Sequence, residues 1–294
     1  MRMKSWLAGV MVLGLVSQTW ATEGDGGAYA SGGEGTMTGA LPPPGMYFLN
    51  YDLYYHADSL KGDTGHSLPI DFKLNVFADV MRFVNVTPVE VLGGNWAQHV
   101  IVPIMSEDVK MKGAGSDHDF GLGDIIVDPF IIGWHKPPFH WIVGVDTYLP
   151  TGKYHGSSLA NLGRNYWTIE PVAAVTYLNE GGQELSAKLM YDFNTENPET
   201  DYLSGEEFHT DFAALQHVND WAFGLGGYYY YQTTDDQLHG VTVLGGNQGR
   251  QIALGPQVSY EVNHMSFVLS WDHEFDTKNR PQGDALWFKF VMPL

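Results

Sequence analysis

Two histidine–serine pairs are the residues of this sequence whose spacing could support nucleophilic catalysis. They are His155-Gly156-Ser157 and His264-Met265-Ser266, each with an imidazole two residues before a hydroxyl. A serine nucleophile also needs a group that orients its base. Asn161 or Asn165 could do this for the first pair, and Asn263 for the second. Because such pairs also arise by chance, we predict no catalytic residues and keep a hydrolase as an alternative.

Metal chemistry is the second possibility that the residue types raise. The chain has 12 histidines, of which His135 and His140 flank a Pro-Pro turn and the others are scattered. Acids are frequent in the loops, but none of their spacings matches a calcium-binding loop. The sequence therefore predicts no metal site and no cofactor, although loop acids that bind divalent cations stay an open alternative.

Composition excludes several classes of protein. The 294 residues include no cysteine, 34 acids and 15 lysines plus arginines, for a formal charge of −19. Without thiols the chain cannot form a disulfide scaffold or a cysteine-ligated zinc domain. The acidic balance disfavours a nucleic-acid partner. Aromatic residues make up 14% of the chain, which is too many for a disordered acidic protein.

The N-terminal residues predict export. Arg2 and Lys4 precede an apolar stretch from Trp6 to Val16, and Thr19-Trp20-Ala21 is a plausible cleavage site. This pattern is typical of a signal peptide, assigned here to residues 1–21. Residues 22–45 are glycine-rich and end in Leu-Pro-Pro-Pro-Gly. This segment is either a flexible leader in the periplasm or a plug inside a barrel.

From Met46 onward the hydrophobic pattern has a period of two, which predicts strands. Twelve such segments are long enough to cross a bilayer as tilted strands. They lie at about 46–57, 71–86, 89–105, 119–134, 139–150, 165–178, 184–194, 204–217, 221–234, 250–262, 265–275 and 284–294. The connections alternate between short and long, as they do in outer-membrane barrels.

The predicted fold class is therefore all-β: a transmembrane antiparallel β-barrel of about 12 strands over residues 46–294, with short periplasmic turns and longer extracellular loops. The strands of a secreted β-sandwich also alternate between apolar and polar residues. Aromatic residues near the strand ends, however, are typical of the two interfacial girdles of a membrane barrel. Three prolines fall inside predicted strands, at Pro129, Pro171 and Pro256. We expect bulges or missing ladder bonds there, since a closed barrel has no free edge.

Strand parity then predicts which side chains face the lumen, if the apolar face meets lipid. Asp52 and Asp79 fall on the predicted lumen side. The residues predicted to form a charged lumen network are Asp124, Asp128, Asp146, Glu170, Lys188 and Lys289, and those predicted to line an aromatic path are Phe130, Tyr228 and Tyr230. A one-residue bulge would move any of them to the other face. A twelve-stranded barrel predicts a narrow or partly plugged conduit.

Several stretches of the chain resemble a known family. They include DFKLNVFADVMRFV, FGLGDIIVDPFIIGWH and LANLGRNYWTIEPVAAVTYL, and the most specific are Gly121–Asp124, Leu149–Gly152 and Gly163–Pro171. The chain is similar there to the family called Putative MetA-pathway of phenol degradation, which includes SphA-like proteins. The resemblance implies an outer-membrane barrel proposed to help hydrophobic or aromatic compounds enter the cell, with no established catalytic residues.

The function predicted from these observations is passive uptake of small hydrophobic or aromatic compounds through the outer membrane. The expected partners are outer-membrane lipid and lipopolysaccharide, the hydrophobic or aromatic solutes, and the barrel-assembly machinery during biogenesis. Two alternatives stay open: a phospholipase-like barrel hydrolase, and a closed barrel with a structural or surface-binding role.

Overall fold

The computed structural model of this chain describes Glu23 and residues 26–294, and the predicted signal peptide lies outside these residues. Among them, no helix is long and apolar enough to cross a membrane. The strands are β1 (Gly45–Leu60), β2 (Phe72–Val91), β3 (Gly94–Met111), β4 (Gly115–Leu122), β5 (Ile125–Lys136), β6 (Phe139–Leu149), β7 (Thr168–Leu178), β8 (Gln183–Asn194), β9 (Tyr202–Leu203), β10 (Glu207–Val218), β11 (Trp221–Gln232), β12 (Gln237–Leu238), β13 (Val241–Thr242), β14 (Arg250–Val262), β15 (Met265–Lys278) and β16 (Pro281–Pro293).

These strands form a closed antiparallel barrel of twelve strands, which confirms the predicted fold class. The first strand closes the barrel by pairing with β16 on one side and β2 on the other. The fourth position of the wall is shared by β4 and β5, which both pair with β3. The three short strands β9, β12 and β13 form a separate small sheet within the loops.

One short turn differs from the predicted position. The expected strands 71–86 and 89–105 predict a turn at 86–89, but the chain reverses at Leu92-Gly93, between the paired Val91 and Gly94. Leu92 has φ 52° and Gly93 has φ 77°, the left-handed geometry that suits the right-handed twist of a hairpin. A register shift between Val86 and Glu90 accommodates the proline inside the pairing.

The two faces of β1 and β2 are reversed relative to the parity prediction. Tyr51, Leu53 and Ala78 are buried on the inner side, whereas Asp52 and Asp79 lie opposite each other on the outer side. The Asn50 amide donates a 2.8 Å hydrogen bond to Asp79 there. Alternation defines two faces but does not say which is inner, and the assumption of a polar lumen is wrong for this part of the wall.

Of the three strand prolines, only Pro129 coincides with a shift of register. The pairing of β5 with β6 shifts between Val127 and Ile132. Pro171 and Pro256 are paired in register with Val145 and Leu225. The register is kept at these two prolines, but the pairing of β7 with β8 skips Pro171 and the pairing of β14 with β15 skips Pro256. This agrees with the expected loss of ladder bonds.

Candidate functional site

An N-terminal segment inside the barrel, residues 26–44 (hereafter the inner segment), organises the lumen. Glu23, just before it, is bonded to the loop residues Tyr154 and Asn197. Near the other end, Leu41 packs into the apolar cluster of Val84, Ala97 and their neighbours. The segment therefore runs along the lumen from the loop side to the short-turn side.

Carboxylates of the barrel wall hold the backbone of the inner segment. Asp211 accepts hydrogen bonds from the Gly32 N–H at 3.0 Å, the Glu34 N–H at 2.9 Å and the Tyr29 hydroxyl at 2.6 Å. Glu184 accepts from the Met37 N–H at 2.7 Å. Because the segment forms no helix or strand, most of its buried N–H groups need such side-chain acceptors.

Glycine allows the segment to approach the wall closely. Gly39 donates a 3.0 Å hydrogen bond to the Thr176 hydroxyl. A Cβ at this position would lie 2.4 Å from the Thr176 backbone nitrogen and 2.5 Å from the Val175 carbonyl carbon. Both are backbone atoms of β7, so neither can rotate away, and a larger residue would have to move the segment.

Glu34 carries the charged contact between the inner segment and the wall. Its carboxylate is 2.6 Å from Arg82 Nη1 and 2.7 Å from Lys289 Nζ. The Tyr51 hydroxyl donates a third hydrogen bond to it at 3.1 Å. Two cations and a hydroxyl on one buried carboxylate satisfy its acceptors, and a buried charge requires this.

Tyr29 makes a second set of contacts, through its ring. The ring stacks on His209 with a centroid distance of 5.0 Å and an interplanar angle of 23°. Lys188 Nζ lies 4.9 Å from the ring centroid, within cation–π range. The tyrosine is thus fixed by its ring and by its hydroxyl, which is bound to Asp211.

The lumen has two unlike walls. The charged wall, formed by β7, β8, β10 and β15, carries buried ionisable residues: Glu170, Glu184, Lys188, Asp192, Glu207, His209, Asp211, Asp272 and Glu274. The apolar wall, formed by β1, β2, β3 and the start of β5, presents Leu53, Leu74, Val76, Ala78, Val80, Ile101, Pro103, Met105 and Ile126. The inner segment is hydrogen-bonded mainly to the charged wall. It meets β1, β2 and β3 through Glu34, which binds Tyr51 and Arg82, and through Leu41, and it leaves the apolar side chains named above facing open space.

A cavity of about 250 Å³ lies between the inner segment and the apolar wall. Leu162 and Arg164, from the loop 150–167, line it as well. Apolar cavities of about 150 Å³ can bind benzene. The space is therefore large enough for a substituted aromatic ring, and its lining combines the apolar wall with charged side chains such as Arg82, Asp146 and Lys188.

The structure brings most of the predicted lumen residues inside the barrel. Lys188 and Asp146 are 3.8 Å apart, and His99 lies 2.9 Å from Asp146. Lys289 bonds to Glu34, as described above. Tyr228 donates a hydrogen bond to Glu274. The Arg280 guanidinium carbon lies 3.9 Å from the centroid of the Tyr230 ring. Glu170 belongs to the charged wall.

Asp124 and Asp128 lie on the inner side of the barrel wall, but their carboxylates accept hydrogen bonds from the protein's own backbone. Asp124 accepts hydrogen bonds from Gly152 N–H at 2.8 Å and Arg164 N–H at 2.7 Å, which fixes the loop 150–167. Asp128 accepts from Phe130 N–H and Val145 N–H, both at 2.7 Å. These N–H groups lie at the bulge beside Pro129, where the ladder is interrupted.

Phe130 does not lie in the lumen. Its side chain is 68% exposed on the outer surface, while Asp128 and Ile131 are buried inside. The bulge at Pro129 places two consecutive residues outward and thereby reverses the parity for Phe130. This corrects the placement predicted from alternation.

Sequence reasoning did not single out Tyr29, Glu34 or Glu184, which hold the inner segment. The available signal was weak: one tyrosine and one glutamate stand among glycines in a segment that, as a simple linker, would need neither. Their partners Asp211, Arg82 and Lys289 are far away in the sequence.

The histidine–serine pairs do not form a catalytic relay in this structure. Ser157 Oγ is 3.0 Å from His155 Nδ1 in an exposed loop. Asn161 accepts a hydrogen bond from the backbone N–H of His155, not from its ring, and the Asn165 amide donates to Asn197. His264 occupies the turn before β15 with φ 66°.

Outside the strands, the loop 150–167 is tied to Glu23 through a tyrosine. The Tyr154 hydroxyl donates a 3.1 Å hydrogen bond to Glu23. Partial burial, together with the negative charge of Glu23, raises the pKa of Tyr154 to about 12. The protonated phenol is therefore the form that the folded loop favours.

Comparison with known proteins agrees with this architecture. The chain is similar to the crystal structure of the COG4313 outer membrane channel from Pseudomonas putida F1, with 15% identity over 88% of this chain and 98% of that one, at a TM-score of 0.75. It is also similar to the translocator domain of the autotransporter NalP from Neisseria meningitidis, with 8% identity over 86% and 90%, at 0.50. No curated protein matches the chain.

The fold is thus that of the outer membrane β-barrels. Within this class, the family model called Putative MetA-pathway of phenol degradation matches residues 57–290. The chain belongs to this family, which confirms the resemblance seen in its sequence.

Proposed function

We propose that this protein passes small hydrophobic or aromatic compounds across the outer membrane without chemical conversion. The observation that carries the proposal is the cavity of about 250 Å³ between the inner segment and the apolar wall. A solute that enters beneath the loop 150–167 would exchange water for the side chains of β1, β2 and β3. Transfer of apolar surface from water is favourable at roughly 25 cal/mol per Å².

The solute class follows from the unequal lining of the cavity. The apolar wall offers aliphatic side chains and methionine, while polar groups such as Gln251 and Arg280 lie at the opposite side. A compound with an aromatic ring and one small polar group would match both sides.

The test is accumulation of a labelled aromatic solute and a labelled long-chain amphiphile in intact cells, with and without the protein. The informative variant is Ala78→Trp, because Ala78 lines the cavity and an indole would fill much of it. The matched control is Phe77→Trp, since Phe77 is the neighbouring residue on the exposed outer face. Heat-modifiable gel mobility shows that both variants fold as barrels.

We expect uptake that depends on the protein, is lost in Ala78→Trp and is kept in Phe77→Trp. Equal accumulation with and without the protein, for both solutes, would refute uptake and leave a closed structural barrel. The same assay in a Ser157→Ala, Ser266→Ala double variant addresses the hydrolase. If uptake is unchanged there and no lipid product forms, the hydroxyls have no catalytic part.

A further inference from the structure

Three side chains of the charged wall form a cluster that the proposed uptake does not use. Glu170 on β7, Asp192 on β8 and His209 on β10 each offer one ligand atom, and these atoms lie within 4.8 Å of one another. His209 Nε2 is 3.4 Å from Glu170 Oε2 and 3.2 Å from Asp192 Oδ2. None of the three side chains is more than 1% exposed.

Hydrogen bonds do not satisfy this cluster. Both ring nitrogens of His209 and both carboxylate oxygens of Asp192 are buried without an aligned hydrogen bond. Glu170 has one such bond, from the Tyr148 hydroxyl to Oε2 at 3.1 Å, and its other oxygen has none. Buried polar groups left in this state are costly, so the cluster calls for a further electrostatic partner.

A neighbouring carboxylate adds an independent observation. Glu207 is paired directly opposite Asp192 in the ladder of β10 and β8. Its side chain is 1% exposed, and both of its oxygens also lack a hydrogen bond. Three carboxylates and one imidazole therefore share a buried region, in which Lys188 acts on Glu170 and Arg280 acts on Glu207 through their charges.

We propose that Glu170, Asp192 and His209 bind a divalent transition-metal ion of the zinc type. Zinc takes nitrogen and carboxylate ligands at about 2.0–2.1 Å in a tetrahedron, whose ligand–ligand edges are then about 3.3–3.4 Å. The two distances from His209 Nε2 are close to these edges; the one to Glu170 is long for a hydrogen bond, and the one to Asp192 is at the upper end of the usual range. The imidazole and the small spacing disfavour calcium and magnesium, which prefer all-oxygen sites.

The position of the site suggests what the ion does. It would join three adjacent strands and fix the His209 ring, which stacks on Tyr29 of the inner segment. Tyr148 would orient Glu170 from the second coordination sphere, as hydrogen-bonding partners of metal ligands commonly do. Three protein ligands leave one tetrahedral position for water. The inference is independent of solute uptake.

The experiment uses the full mature chain, folded in detergent with Zn²⁺ and then freed of excess metal. Because His135 and His140 face each other at the surface with their Nδ1 atoms 2.9 Å apart, all proteins carry His140→Gln to remove that competing pair. The site variant is His209→Gln. The control is His273→Gln, whose exposed imidazole pairs with Asp284 at 2.9 Å.

We expect one equivalent of zinc in the background protein and in the His273→Gln control, and none in His209→Gln. Removing the bound zinc with a chelator should lower the thermal midpoint of the background protein by several degrees, and Zn²⁺, but not Mg²⁺, should restore it, whereas the midpoint of His209→Gln should not change in either step. A folded background protein without zinc would overturn the proposal, and so would His209→Gln that retains the full equivalent.

A second measurement decides the matter if His209→Gln does not fold. Co²⁺ in place of zinc gives strong visible d–d absorption in a tetrahedral site and only weak absorption in an octahedral one. The background protein should bind Co²⁺ with the tetrahedral spectrum, which excess Zn²⁺ removes. If no such spectrum appears, the cluster is a set of buried acids around a histidine without a metal.

Discussion

The two walls of the lumen differ in what they bind. The charged wall binds the chain itself: Asp211, Glu184 and the Thr176 hydroxyl accept backbone N–H groups of the inner segment. The apolar wall holds less of the chain, through the contacts of Glu34 with Tyr51 and Arg82 and the cluster around Leu41, and the cavity lies against the rest of it. A polar lumen wall thus does not have to mean a water-filled pore. Its polarity here satisfies the backbone of an irregular segment, and the cavity lies beside the apolar wall.

The strongest test of this difference between the walls removes most of the inner segment, which the charged wall holds. Deleting residues 26–40 should open the lumen to water and raise single-channel conductance several-fold, because the exposed carboxylates would then line a wide aqueous path. Planar-bilayer recording of the deleted and full-length proteins measures it. Unchanged conductance would mean that side chains of the walls, and not the inner segment, close the barrel.

Removing the charge of Glu34 tests how the inner segment is attached to the barrel wall. Glu34→Gln leaves Arg82 and Lys289 without their carboxylate, and breaking a buried ion pair in this way costs about 3–5 kcal/mol. We expect a lower thermal midpoint and frequent openings in bilayer recordings. Adding Arg82→Met and Lys289→Met should restore much of the stability, since no unpaired charge then remains. A triple variant as unstable as Glu34→Gln would contradict the ion-pair explanation.

The sequence predicted the barrel better than the lumen, and particular residues show why. A period of two, the short turns and the strand lengths are local, so they identify twelve strands and most of their positions. The contacts of Glu34 with Lys289, or of Tyr29 with Asp211, join residues more than 180 positions apart. No local pattern contains them.

Side-chain direction was the other limit. The faces of β1 and β2 were reversed because the lumen wall is apolar there, and Phe130 was misplaced by a single bulge. The Glu170–Asp192–His209 cluster could not be found from spacing, since its members come from three strands. It appears only when the register brings these strands together.

Asp128 distinguishes a structural carboxylate from one that acts on solutes. Asp128→Ala removes acceptors from the Phe130 and Val145 N–H groups at the bulge, and bonds to a charged group are worth roughly 1.5–3 kcal/mol each. We expect reduced stability toward denaturant with unchanged conductance in the molecules that do fold. Asp128→Asn, which keeps one acceptor oxygen, should lose less. Altered conductance at full stability would instead place Asp128 on the solute path.

The smallest expected effect concerns the hydrogen bond between Tyr154 and Glu23, which lies just before the inner segment on the loop side. The pKa of Tyr154 is raised to about 12 in the folded protein, whereas an unperturbed tyrosine titrates near 10. The stability that this phenol contributes is complete below pH 10 and is lost between about pH 10 and 12, because the unfolded chain releases the proton first. Thermal midpoints from pH 9 to 12 should therefore fall slightly more for the native protein than for Tyr154→Phe, which lacks the titrating group. The other tyrosines are common to both proteins, so parallel curves would show that the contact between Tyr154 and Glu23 does not stabilise the folded loop.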